Sequence, residues 1–163
     1  MNVKEPKQRP ILDIQANSFA IPILVSKFNS FITDRLLAGA RDCLIAHGMP
    51  AEKIAVHFVP GSFELPQAAH LLAHRGGVDA IICLGAVIKG ETPHFEYVSS
   101  ETARGIMQVS LDHQLPVVFG VLTTDTVKQA EERSGGTHGH KGWDAALTAL
   151  EMAAFSRSVR RSG

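Results

Sequence analysis

The chain has 163 residues, 45% of them hydrophobic and 20% charged, enough apolar material for one core and too little chain for two ordinary domains. Lys plus Arg equals Asp plus Glu at 16 each, so no net field favours nucleic acid or an acidic membrane. Cys43 and Cys83 lie inside apolar helix and strand patterns, which suggests buried thiols in a reducing compartment and no metal site. The first ten residues carry no apolar signal core. No apolar run approaches the ~20 residues needed to span a bilayer, and a cytoplasmic location is expected.

Residues 1–10 read as a flexible tail and residues 11–18 as a mixed segment without an evident partner. A single domain is expected over 11–157, followed by a basic tail over 158–163. Phe19 to Val25 predicts a strand. Asn29 to His47 predicts a helix with Ile32, Leu36, Ala40 and Leu44 on one stripe and Gly48 as its stop. Ile54 to Val59 is the second strand. The next helix has Pro66 near its start, buries Leu65, Ala68, Ala69 and Leu72, and stops at Gly76-Gly77. Val78 to Leu84, extending towards Ile88, is the third strand. Thr92 is the expected cap of the helix that follows it, with Pro93 at the first position and Val98, Thr102, Ile106 and Val109 at helical spacing. Pro116 opens the fourth strand, through Leu122. Thr126-x-x-Gln129 forms a capping-box pattern for a short helix ending near Gly135-Gly136. A last helix carries Trp143, Ala146, Leu147, Leu150 and Ala154 and runs to about Arg157, where a basic run reads as a solvated helix end.

Four strands alternating with helices predict an α/β fold with a parallel sheet covered on both faces. Ligands of such sheets lie beyond the carboxyl ends of the strands. Four loops are thereby selected: Ser26 to Asn29, Pro60 to Glu64, Gly85 to His94, and Thr123 to Asp125. Phe28 offers an aromatic face for a flat heterocycle, or else a hydrophobic staple for the helix beside it. Gly61 allows close backbone approach, and Ser62 and Glu64 add polar groups at a helix start. Gly85 and Gly90 are expected to supply backbone conformations that a side chain forbids. The loop they punctuate ends in a helix start whose free N–H groups can hold an anion, and His94 in that first turn can move a proton. Arg133 and Lys141 are cations able to close over a phosphate, although an Arg at a helix end is also a common cap. His138 and His140 lack a third ligand at suitable spacing, so no metal is expected. The chain contains no GxSxG, P-loop or GxGxxG motif.

The strings SKFNSFI, VPGSFELP, GAVIKGETPHFEYV, FGVLTTDT, the arginine of EERSGG and HKGWDAALTALEMA occur in that order over about residues 19–157. Together they resemble the lumazine synthase family of riboflavin biosynthesis. The resemblance implies a flavodoxin-like three-layer α/β sandwich with a four-stranded parallel sheet. It implies a transferase that condenses 5-amino-6-(D-ribitylamino)uracil with 3,4-dihydroxy-2-butanone 4-phosphate, without cofactor or metal. Phe28, with Asn29 beside it, is expected to stack on the pyrimidine. Ser62, Phe63 and Glu64 should line the ribityl and ring pocket, and Ala86, Val87 and Ile88 should meet the uracil edge through backbone groups. Glu91 and Thr92 are expected to present the phosphate cradle, His94 to shuttle protons, and Arg133 to clamp phosphate with help from Lys141. Phe119 is expected to cover the ring from a neighbouring subunit. The family is similar in building homo-oligomers from pentamers, in some members decamers or icosahedral capsids, and the segment 11–18 would add a strand to a neighbour's sheet. Alternatives on the same fold are a flavin- or lumazine-binding module without turnover, a structural shell protein, and a generic phosphate-sugar enzyme.

Overall fold

The computed structural model describes residues 13–161. The four strands β1 (Ile23–Ser26), β2 (Val56–Val59), β3 (Ile81–Ile88) and β4 (Val117–Thr124) form one parallel sheet in the order β2-β1-β3-β4. The helices are α1 (Ser30–Ala46), α2 (Leu65–Arg75), α3 (His94–His113), α4 (Val127–Arg133) and α5 (Lys141–Arg161). β1 and β3 are central and buried on both faces, which is why their sequences read as unbroken apolar runs. The edge strands β2 and β4 keep exposed residues.

Side chains alternate across β3 and divide the core in two. Ile82, Leu84 and Ala86 face α1 and α5, where they meet Ile32, Leu36, Ala40, Leu44, Ala146 and Leu150. Ile81, Cys83 and Val87 face α2 and α3, with Leu65, Ala69, Ile106 and Val109. All four residues of the expected α1 stripe are fully buried. Each such Ile or Leu contributes about 1.5–3 kcal/mol by leaving water. The result is the expected flavodoxin-like three-layer sandwich.

Several local expectations change. β1 begins at Ile23, the first residue paired with both neighbouring strands; ahead of it the carbonyls of Ala20 and Pro22 accept from Asp79 N and Ile82 N. The expected Thr92 cap is not made: Pro93 holds the cap position, no side chain bonds the helix start, and α3 begins at His94. Neither Gly85 nor Gly90 has a positive φ. Gly85 lies within β3, and its need is spatial, since a Cβ there would meet the Ser62 hydroxyl at 2.5 Å. The Thr126 box does form. Thr126 Oγ1 accepts from Gln129 N at 3.1 Å, while Gln129 Oε1 accepts from the N–H of Asp125, one residue before the cap.

A small antiparallel hairpin of β5 (Ser134–Gly136) and β6 (Gly139–His140) replaces the loop expected before the last helix. α5 then runs through Arg161, beyond the expected end, and Arg160 donates to the Gln114 carbonyl at 2.8 Å.

Part of the 11–18 segment does have a partner in its own chain. Ala16–Ser18 is a 3-10 turn; Ala16 N donates to His47 O at 2.9 Å, and Arg157 donates to Ser18 O at 2.8 Å. Arg157 also lies over the Phe19 ring, 3.8 Å from its centroid. Residues 11 and 12, like the tail at 1–10 and the final residues 162–163, lie outside the described residues.

Candidate active site

Between β1 and β3 the chain reverses its direction of travel across the sheet, sending α1 to one face and α3 to the other. A crevice opens there beyond the carboxyl ends of the strands. It is a cleft of about 670 Å³ lined by the loops after β1, β2 and β3 and by the first turns of α3. Backbone bonds lock two of its walls together: Lys27 N donates to Val59 O at 2.8 Å and Phe28 N to Pro60 O at 3.1 Å.

Phe28 stands 71% exposed at the cleft wall. A staple residue would bury its ring against the helix, so the aromatic-face reading fits this position. Asn29 adopts the left-handed conformation (φ 59°), which Asn tolerates better than most residues, and caps no helical N–H. Its Nδ2 instead donates to the Ala86 carbonyl at 2.9 Å, tying the β1 loop to β3 across the crevice. Ala86, Val87 and Ile88 form the floor.

The second loop presents Ser62, Phe63 and Glu64 as a 3-10 turn leading into α2. Ser62 is buried with its hydroxyl against Gly85, whereas Phe63 is exposed. A Cβ on Gly61 would come within 3.1 Å of Glu64 Oε2, so the glycine lets the carboxylate fold back over the loop. Gly90, Thr92 and His94 complete the third wall. Glu91 is exposed and outside the lining.

The exposed rings of Phe28 and Phe63, a floor of apolar side chains and backbone groups, and one histidine at a helix start can hold a planar heterocycle and move protons on it. Among the described residues, no Lys or Arg lines the cleft. Arg133 closes α4, with Nη1 donating to Gln129 O at 3.1 Å. Lys141 pairs with Asp144 at 3.2 Å, and both line a second groove of about 460 Å³ along the edge strand β4. Phe119 lies in that groove, 43% exposed. The chain thus brings together Phe28, Asn29, Ser62, Phe63, Glu64, Ala86, Val87, Ile88, Thr92 and His94. Phe119, Arg133 and Lys141 are placed elsewhere.

Phe95, Tyr97 and Val98, beyond the His94 end of the third loop, also line the cleft. Helical periodicity carried three and four positions on from His94 finds Tyr97 and Val98. The two histidines of the β5–β6 hairpin serve different contacts. His138 Nδ1 lies 3.4 Å from Glu132 Oε2, while the His140 ring occupies the space a side chain on Gly39 would need.

A family model for 6,7-dimethyl-8-ribityllumazine synthase matches residues 18–157. The match takes in all four strands of the sheet, every loop that lines the cleft and α5 as far as Arg157. The chain belongs to the 6,7-dimethyl-8-ribityllumazine synthase family.

Proposed function

We propose that this protein condenses 5-amino-6-(D-ribitylamino)uracil with 3,4-dihydroxy-2-butanone 4-phosphate. The products are 6,7-dimethyl-8-ribityllumazine, phosphate and water, in the penultimate step of riboflavin biosynthesis. One observation carries the reading: the switch-point cleft pairs the open rings of Phe28 and Phe63 with His94 at the start of α3.

The chemistry asks for positioning and proton transfer more than for a protein nucleophile. The 5-amino nitrogen attacks the ketone carbon, and loss of water gives an imine. Removal of a proton next to the imine carbon then expels phosphate as the C–O bond breaks. The enol left behind takes a proton to become a ketone, and the ribitylamino nitrogen attacks that carbonyl to close the second ring with loss of a further water. In this scheme Phe28 stacks on the pyrimidine, backbone groups of Ala86 to Ile88 meet its edge, and Ser62 to Glu64 hold the polar substituents. His94 moves the protons. The α3 start, with the backbone of Glu91 and Thr92, receives the phosphate, and turning the Glu91 side chain to solvent avoids repulsion.

Among the described residues, the cleft's own lining lacks a Lys or Arg for the departing phosphate. Arg133 and Lys141 therefore act in the cleft of an adjacent copy, with Phe119 as the cover over its ring, in a homo-oligomer built from pentamers. The Arg133 guanidinium forks onto phosphate oxygens and stabilises the charge that develops on the leaving group.

The test follows lumazine absorbance and phosphate release together with both substrates present. Equal appearance of the two products is expected. No turnover, with tight binding of a lumazine or flavin, would assign the cleft to a binding module instead.

A further inference from the structure

We infer that Tyr97 binds the hydroxylated side chain of the substrate, an assignment that rests on the proposed synthase reading. α3 turns two kinds of residue towards this end of the molecule. Phe95 and Val98 pack against the core shared with α2 and so fix the rotation of the helix. His94 and Tyr97, three positions apart, are left as neighbours on the exposed face of the same turn and both line the cleft.

Tyr97 is 68% exposed. It lies one turn along α3 from the unbonded N–H groups, so it is set back from the place where an anion is favoured. The Ser62–Glu64 turn packs against α3, and Ser62 and Glu64 face the same cleft. A phenol both donates and accepts a hydrogen bond, and its ring covers the C–H edge of an extended chain. That combination suits a polyol held between the Ser62–Glu64 turn and α3. It suits neither a phosphate, which calls for cations or N–H groups, nor the flat ring, which Phe28 and Phe63 already address.

The test uses the full-length oligomer and two probes: 6,7-dimethyl-8-ribityllumazine and 6,7-dimethyllumazine, which lacks the polyol. Tyr97→Phe is expected to weaken binding of the ribityl compound about tenfold and to leave the other within about twofold, the size of one lost hydrogen bond. Tyr97→Ala is expected to widen that difference. An equal loss for both probes, or no loss for either, overturns the assignment. Tyr97 is also the single tyrosine of the chain. A ring-fluorinated tyrosine therefore reports from this position alone in the unsubstituted protein, and its signal should move with the ribityl probe and not with the other. An unmoved signal contradicts the proposal. Turnover of the unsubstituted protein, measured alongside, judges the synthase reading separately: ligand contact at Tyr97 without turnover would sink that reading and leave Tyr97 as the polyol contact of a binding module.

Discussion

His94 stands in the exposed first turn of α3 with its ring at the cleft, and no other histidine lines it. His94→Ala should lower kcat by about 10²–10⁴-fold with little change in pyrimidine binding, because general acid–base help is worth that much. Unchanged kcat would remove His94 from the proton path. Cys83 is a different case. Full burial on the α2–α3 side of β3 pushes its thiol up from 9.0 to about 12. The neutral thiol is favoured in the fold, so this contribution is intact below 9.0 and is lost as pH rises towards 12. Denaturant midpoints of the native chain should therefore fall more steeply through that range than those of Cys83→Ala; parallel slopes would contradict the assignment. Chemistry of this kind was legible in the sequence where a residue type sat in a loop after a strand, as for Phe28, Ser62 and His94. It was not legible at Gly85, whose need comes from the Ser62 hydroxyl 23 positions away in sequence and only 2.5 Å away in space.

At the scale of elements, the approach of α5 to α1 sets the depth of one core layer. A Cβ on Gly142 would lie 2.0 Å from the Leu36 carbonyl oxygen, so the two helices touch backbone to backbone at that point. Gly142→Ala should destabilise the fold by about 1–3 kcal/mol through overpacking, despite the better helix propensity of Ala. A chemical denaturation curve checks this, and a stabilised variant would mean that the contact is loose. Helix periodicity made α1 readable from Ile32, Leu36, Ala40 and Leu44, since an amphipathic stripe is a local property. The β5–β6 hairpin was hidden because its residues, Ser134 to His140, are mostly Gly, His and Ser or Thr, and what fixes them is the seat of the His140 ring beside Gly39 of α1. The start of α3 shifted for a local reason: the Glu96 N–H closes onto the Pro93 carbonyl at 3.0 Å, which makes Pro93 the boundary and leaves Thr92 to the cleft.

Across the whole molecule, alternation of strands and helices sufficed to foresee the parallel sheet, and the reversal between β1 and β3 sufficed to place the cleft. Among the described residues of a single chain no Lys or Arg lines the cleft, and Phe119 and Lys141 lie in a separate groove beside β4. The sequence strings set Phe119 apart, through the resemblance that gives it to a neighbouring subunit, but not Arg133 and Lys141, because order along the chain does not reveal how far a residue lies from the cleft. Arg133→Ala should raise KM for the phosphate-bearing ketone far more than for the pyrimidine, and equal increases would speak against a phosphate clamp. In the proposed oligomer, catalysis uses the cleft of one copy and the cations of the next. It is tested by the activity of mixed oligomers obtained by co-expressing His94→Ala and Arg133→Ala chains, assayed at a ketone concentration low enough that each is expected to be nearly inactive alone. Random mixing should restore about a quarter of native activity, because that share of clefts would combine an intact His94 with an intact Arg133 from the adjacent copy. Mixed oligomers no more active than their parents would contradict the account and place both residues in the site of a single chain.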